Sequence, residues 1–471
     1  MDSAAALSVG LAQRARHKDA VDRVRRYMRG EHDRSYMPKS HEREFASLVQ
    51  RAVGNWLPLV VDAIAQNLFV EGYRRAEDPD NLTGWRHWTA NGMDSKQGLV
   101  HRAALTYGES YVTVMPGDKG PVIRAYSPLV MTVVQDDPDA EWPDYGVRRV
   151  RRDRTALGVD GTLWEVIDSE GIWSYLVPDG ADDVKDYEIR DVWAHGFDVC
   201  PIAVFRNKWN DDPDSCFVED GEVSPLIPLQ DRLNDTTLGL LIAQQYSAFR
   251  QKWATGIEIP VDPVTKKPVE SFESAVHRMW ATSNKDVKFG EFGQTDLGGY
   301  LESQDSAIKH MSAIAQVPPH YLLGGLVNIS AEALAAAEAG LTRKAGERKT
   351  LFGEAWARVM RLAAWAAGDT AGAEDTDARV VWRDTEARSL AAAADALGKM
   401  RQMLEVPVES LWEMIPGVGP FQIRQWKKAR AEDMADSAAS VAAALLAGDD
   451  RSTTFGADGN AAEDEDGAEA A

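Results

Sequence analysis

A chain of 471 residues with 44% hydrophobic and 27% charged residues is long enough for two or three packed regions around a sizeable core, and too long for one ordinary domain. It holds no run of about 18 apolar residues, so no helical membrane span is expected, and Asp2 with no basic segment behind it argues against a secretory leader, so the chain is expected to stay in the cytoplasm where it is made. The formal net charge of -22 argues against a protein that grips nucleic acid, and two cysteines, Cys200 and Cys216, are too few for a disulfide framework or a thiolate zinc site and are read as reduced, partly buried thiols.

From residue 11 to 30, Leu11, Ala15, Val21, Val24 and Met28 recur at helical spacing between charges, and Gly30 ends the run, which predicts an amphipathic helix. Leu57, Val60, Val61, Ile64, Ala65 and Leu68 predict a second helix over 56–69, with Pro58 suited to its first turn. Between Ser110 and Val204 the period changes to that of strands, at 111–114, 122–125, 131–134, 164–167 and 173–176, with turn signals such as Pro116-Gly117, Asp160-Gly161 and Asp179-Gly180 between them. This predicts an antiparallel β-rich region inserted between helices. Its basic cluster, Arg148, Arg149, Arg151, Arg152 and Arg154, is read as a solvated strand face in preference to a grip on an acidic partner.

After the polar loop 211–222, Leu226, Leu229, Leu233, Leu240, Ala243 and Ser247 follow alternating three- and four-residue steps, the spacing of helices packed along one another. Gln230, Asn234, Asp235, Gln244 and Gln245 recur among them, a pattern that suits a rod with one wet side, either in a ring of copies or on an ordinary surface. A Pro-rich, strand-like excursion over 256–292 precedes a second helix marked by Leu297, Leu301, Ile308, Met311 and Ala315 and stopped by Pro318-Pro319. Two helices bracketing a small module read as a stalk with a tip. Next comes YLLGGLVNIS, whose paired glycines can hinge, then an Ala-rich helix over 331–367 that Ser330 can cap and whose Gly340, Gly346 and Gly353 permit bending or close packing. Residues 385–444 are helical again, divided by Pro407, Pro416 and Pro420. After Gly448 the chain carries eight acids against one Arg, the composition of a solvated, disordered tail.

Catalytic patterns are missing. There is no GxxxxGK[ST] loop, no HExxH and no GxSxG elbow. Gly417-Val418-Gly419 reads as a turn between helices, His310 and His320 as packing or capping residues, and Asp136, Asp137 and Asp139 around Pro138 as a surface turn. No catalytic residue, metal ligand or cofactor is expected.

Seven patterns in order carry a resemblance over roughly residues 10–440: RRYMRG, NWLPLVVDAIAQNLFVEGYR, YGESYVTV, SPLVMTVVQDD, GEVSPLIPLQDRLND, AQVPPHYLLGG and ESLWEMIPGVGPFQIRQWKKARAED. Together they resemble the portal proteins of long-tailed phages, of the type found in phages of actinobacteria. The resemblance implies an α+β portal fold, mainly helical, with a β-rich wing insertion, long stem helices, a small clip and a helical crown, assembled as a ring of about twelve copies. Carried onto this chain, it places the wing at 1–224, a stem helix at 225–253, the clip at 254–296, a second stem helix at 297–317, a tunnel-loop region at 318–330, a long wing helix and its return at 331–384, and the crown at 385–445. The acidic stretch 446–471 matches no shared element. Gly324, Gly325, Leu326, Val327, Asn328 and Ile329 would form the tunnel loop against DNA, Arg250 and Lys252 would lie in the stem channel, and Lys266, Lys267, Lys285 and Lys288 would present the clip to other proteins. The implied partners are further copies of the chain, double-stranded DNA passing without sequence readout, the terminase large subunit, the major capsid and scaffold proteins, and a head-completion or adaptor protein, with no membrane. The implied place is the portal vertex of the virion, reached from the host cytoplasm, and the implied role is genome packaging, retention and ejection. The competing readings are a soluble α+β enzyme with an unfamiliar site, and another head-assembly protein.

Overall fold

The computed structural model describes residues 2–36, 42–75, 82–153, 161–181, 183–210, 212, 215–248, 252–256, 286–291, 296–324, 331–384, 390–415 and 417–449. The chain forms two compact units, Met1–Arg383 and Asp384–Ala471.

The first helix, α1 (Ser3–Met28), starts well ahead of the expected residue 11, because the Asp2 side chain accepts the Ala4 N–H at 3.1 Å and caps it. The apolar patch at the start of the chain is therefore the first turns of this helix, and Ala6 and Leu7 are buried against a sheet. Helix α2 (Glu42–Arg51), strand β1 (Val70–Arg74) and helices α4 (Leu82–Ala90) and α5 (Met93–Tyr107) had no counterpart in the sequence reading; α3 (Leu57–Ala65) did, with Pro58 in its first turn.

Eight antiparallel strands follow. They are β2 (Glu109–Met115), β3 (Val122–Tyr126), β4 (Met131–Val134), β5 (Tyr145–Asp153), β6 (Gly161–Ile167), β7 (Ile172–Pro178), β8 (Glu188–Trp193) and β9 (Ile202–Arg206). They form a three-stranded sheet ordered β3-β2-β9 and a five-stranded sheet ordered β4-β5-β6-β7-β8. The basic cluster lies on β5, yet Arg148 is half-buried and ion-paired with Glu165 on β6, so it is no free cation; Arg149 is exposed as expected, and Arg154 falls outside the described residues. Cys200 is buried between the two sheets beside Met131, Ile167 and Ile202.

The remaining elements of the first unit are α6 (Ile227–Ala248), β10 (Lys252–Thr255), β11 (Lys288–Glu291), α7 (Gly298–Ala315), α8 (Pro319–Leu323), the 36-residue α9 (Ala331–Ala366), α10 (Thr370–Glu374) and β12 (Arg379–Trp382), which pairs back onto β1. Helix α9 buries Phe352, Trp356, Val359, Leu362 and Ala363 in the main core. Trp356 meets Phe205 of β9 and Trp88 of α4 edge-on at 4.7 and 4.8 Å, geometries that suit the ring quadrupoles. Its indole N–H donates to Nε2 of the buried His101 at 2.9 Å, which assigns the imidazole proton to Nδ1, facing the Leu68 carbonyl at 3.2 Å. Burial pushes the His101 pKa down to about 3, so the ring is a neutral packing element. Gly340 and Gly346 face open space and mark no close packing.

In the second unit, α11 (Leu390–Leu404), α12 (Val408–Trp412) and α13 (Pro420–Asp449) are the helices expected there. Gly417 takes a left-handed φ of 80° in the turn before α13. Trp412 and Trp426 meet edge-on at 5.9 Å, and Arg430 pairs with Glu409 at 3.0 Å. The stretch expected to be a disordered tail, 446–471, is helical at its start, since α13 continues to Asp449; from residue 450 it lies outside the described residues.

One ionic cluster fastens the first unit. Where the chain leaves the β-rich region, the Glu222 backbone N–H donates to the Leu105 carbonyl at 2.7 Å, and its carboxylate, 5% exposed, receives Lys344 Nζ at 2.6 Å, Asn207 Nδ2 at 3.0 Å and Arg348 at 3.2 Å. Lys344 also donates to the Ala315 carbonyl, the last residue of α7, at 2.8 Å. Beside this, Gly108 ends α5 at φ 89°, where a Cβ would stand 1.8 Å from the Phe217 carbonyl oxygen, so only glycine fits. Burial alone would push the Glu222 carboxyl up; Lys344, with Asn207 and Arg348, outweighs it and holds the carboxyl below the usual carboxylate range. A depressed carboxyl contributes its stability above its unfolded pKa and loses it as pH falls through the folded one. Glu222→Gln is expected to cost about 3–5 kcal/mol in denaturant unfolding at pH 7 by leaving two buried cations underpaired, and to lack this carboxyl's share of the acid-induced loss of stability.

Candidate functional site

Of the two helices expected to form a stalk, the first is shorter than read: α6 ends at Ala248, and Lys252 and Trp253, expected to close it, begin strand β10 because they pair with β11. Helix α6 has 22 residues, about 33 Å at 1.5 Å each, and runs beside α7. Tyr300 packs over Gly239, and Gln304 Nε2 donates to Thr237 Oγ1 at 2.8 Å. Beyond α6 the strands β10 and β11 pair antiparallel, Lys252 opposite Glu291 and Thr255 opposite Lys288, so the small module between the helices leaves and re-enters through a β-ribbon.

Two expectations about α6 need correction. Gln230 and Asn234 are fully buried, not part of a wet side. Gln230 accepts the Trp56 N–H at 3.0 Å and donates to the Gly54 carbonyl at 2.6 Å, while Asn234 lies 2.8 Å from His32 Nδ1 and accepts from Gln230 at 3.1 Å. Tyr27 adds a hydrogen bond to Asp231 at 2.6 Å. These side chains satisfy the irregular backbone before α3, which has no helix or sheet partner there. The apolar stripe is also largely used within the chain: Leu226, Ile227 and Leu233 join the main core, and Leu238, Leu241 and Ile242 pack on Phe45, Leu48 and Val49 of α2. Asp235, Gln244 and Gln245 remain exposed, as do Leu301 and Ile314 on α7 at 52% and 54%.

At the ribbon, the Trp253 ring covers Gly290, where a Cβ would stand 2.3 Å from it. Trp253 and Phe289 are 39% and 41% exposed, and Lys288 is exposed beside them. The sequence reading singled out the lysines and passed over this aromatic pair, although the KWAT and KFGE segments carried the signal of an aromatic-bearing hairpin. Lys252 lies on β10. Arg250, Lys266, Lys267 and Lys285 fall outside the described residues.

Below the stalk, Ser312 Oγ and the Val317 carbonyl join the end of α7 to the turn that starts α8, at 2.5 Å. Gly324 ends α8 at φ 67°, its N–H donating to the His320 carbonyl at 3.0 Å. His320 stands 4.0 Å from Glu338 of α9, whereas His310 is exposed and neither packs nor caps, contrary to expectation. Gly325, Leu326, Val327, Asn328 and Ile329, with Ser330, fall outside the described residues. Asp136, Asp137 and Asp139 form an exposed turn. Among the described residues no group of three or more His, Cys, Asp or Glu is placed to hold a metal ion, and no helix is long and apolar enough to cross a membrane.

The family model for phage portal proteins of the SPP1 Gp6-like type matches residues 10–436. The chain is 28% identical over 362 residues to a portal protein of Mycobacterium phage D29, covering 73% of this chain and 71% of that protein. It is 27% identical over 369 residues to a portal protein of Mycobacterium phage L5, with the same coverage of both. Among solved structures, a chain from the neck of an empty GTA particle aligns at a TM-score of 0.45 and 14% identity over 80% of this chain and 96% of that one. The polar clamp at the base of α6 is testable: Gln230→Ala, which strands the Trp56 N–H and the Gly54 carbonyl, is expected to cost about 1–3 kcal/mol in urea unfolding, while Gln244→Ala on the exposed face changes stability by under about 0.5 kcal/mol.

Proposed function

Because the chain belongs to the family of phage portal proteins of the SPP1 Gp6-like type, a structural and non-enzymatic component of the phage head, we propose that its copies close into a ring, of about twelve, around a channel for double-stranded DNA at one capsid vertex. The observation that carries this reading is the α6–α7 pair, fastened at its base and tipped by the β10–β11 ribbon, with Leu301 and Ile314 of α7 left exposed. Neighbouring copies in a ring would cover such apolar side chains, which a lone subunit leaves in water.

Within this reading, 225–248 and 297–317 are the stem, the segment from the β10–β11 ribbon outward, 252–296, is the clip, 318–330 carries the tunnel loop, 385–445 is the crown, and 1–224 with 331–384 is the wing. A net charge of -22 on every copy favours a wall that repels phosphate, so that DNA slides without trapping by counterion release. Arg250 and Lys252 would offset the repulsion locally, and Gly324 to Ile329 would touch the duplex by shape. Lys288 and Trp253, which share one face of the ribbon, would form with Lys266, Lys267 and Lys285 the surface on which the terminase large subunit and later a head-completion protein dock; an exposed aromatic beside a cation suits a protein partner. The major capsid and scaffold proteins would hold the ring in the shell. Assembly in the host cytoplasm would precede incorporation into the virion, and the ring would serve packaging, retention and ejection of the genome.

The purified protein is expected to elute far above its 51.8 kDa monomer mass and to show rings with a central hole in negative stain; a stable monomer at micromolar concentration would refute the proposal. Deleting residues 324–328 should leave the rings intact and lower the yield of DNA-filled heads in a complementation assay, and normal full heads from that variant would exclude a tunnel-loop role.

A further inference from the structure

The chain has 74 acidic and 52 basic residues, so a random patch of its surface is acidic. One cleft breaks this rule. Between the middle of α1 and the β4-β5-β6 part of the larger sheet lies a cavity of about 440 Å³, lined by the cations Arg14, Lys18, Arg25 and Arg149 against the single carboxylate of Asp22. That carboxylate stands 4.0 Å from Arg25. Lys18 and Arg149 are exposed at the mouth, and neither has an ion-pair partner among the described residues.

We propose that this cleft binds a phosphate-bearing anion. Arg14 fixes the geometry. Its guanidinium donates to the Pro128 carbonyl at 3.0 Å and to the Leu129 carbonyl, and stands 5.6 Å from the centre of the Trp164 ring, so it is held in place before any ligand arrives. Burial and then the nearby charge of Arg149 lower the Arg14 pKa, and the carboxylate of Asp22 opposes them in part. The Nε of Arg25 is buried with no hydrogen-bond partner. His17, whose Nδ1 lies 3.0 Å from Cys216 Sγ, is kept neutral by burial and by Arg16, and adds no charge of its own.

The charge count selects the ligand class. A carboxylate brings one negative charge and leaves most of the excess uncompensated, whereas a phosphate monoester brings about -1.5 to -2 and three acceptor oxygens that match guanidinium forks. The volume is that of a small-ligand pocket, with Trp164 and Phe217 as apolar walls. Free phosphates and nucleotides offer this chemistry, and so does the backbone of a nucleic acid.

The test is a calorimetric titration of the full-length protein at low salt with pyrophosphate, dATP and a short DNA duplex, with glutamate as the carboxylate control. Saturable binding of pyrophosphate or dATP is expected, weakened by roughly tenfold or more in the Lys18→Gln/Arg149→Gln double variant. Both positions are exposed, Arg14 is left intact, and circular dichroism should be unchanged. Duplex binding that falls in the same variant, with weak binding of the small phosphates, would identify nucleic acid as the source. No saturable binding of any phosphate probe, binding indifferent to the double substitution, or glutamate binding as tight as pyrophosphate would each overturn the proposal.

Discussion

The buried carboxylate of Glu222 ties together three stretches of chain that the sequence keeps far apart: the exit from the β-rich region, the end of α7 and the middle of α9. Two cations and an amide on one carboxylate offset a desolvation cost that a lone charge at this depth could not bear. An apolar cluster of the same volume would hold as well but would fix orientation less sharply. Here Lys344 reaches both Glu222 and the Ala315 carbonyl, so α9 can take only one register against the stalk. The contact thus joins the end of α7 to the middle of α9, the longest helix among the described residues.

The same division of labour recurs at the base of α6. Apolar side chains supply most of the burial energy, and polar ones decide where the irregular backbone lies. Gln230 and Asn234 answer the unpaired groups around Gly54 and Trp56, and Tyr27 answers Asp231. The helix pair held this way at one end leaves Leu301 and Ile314 of α7 exposed, and Trp253 and Phe289 are exposed at the ribbon beyond it.

The chain is acidic overall, with 74 acidic against 52 basic residues, and its cations are partly drawn into the fold. Arg148 is spent on Glu165 inside the sheet, whereas the cleft beneath α1 keeps several cations together with little compensation.

Much of this was legible from the residues alone. The strand alternation of β2, β3, β4, β6 and β7, the 3.6-residue period of α1, α6, α7 and α9, and the proline and glycine stops are local, backbone-level signals, and they hold because each residue's preference agrees with its neighbours'. The family was legible for the same reason, since its patterns occur in order along the chain. What the tertiary structure decided is which side of each element faces inward. Helix α2 escaped notice because its burial is set by α6, nearly two hundred residues away, and Gln230 and Asn234 looked wet because nothing local announces the unpaired backbone they satisfy. Arg148 read as part of a solvated strand face and Glu222 as the end of a polar loop for the same cause: an ion pair across the fold leaves no periodicity in the sequence. Contacts between copies of the chain or with other proteins lie beyond what one chain's sequence periodicity records, because such contacts pair residues that no local pattern links.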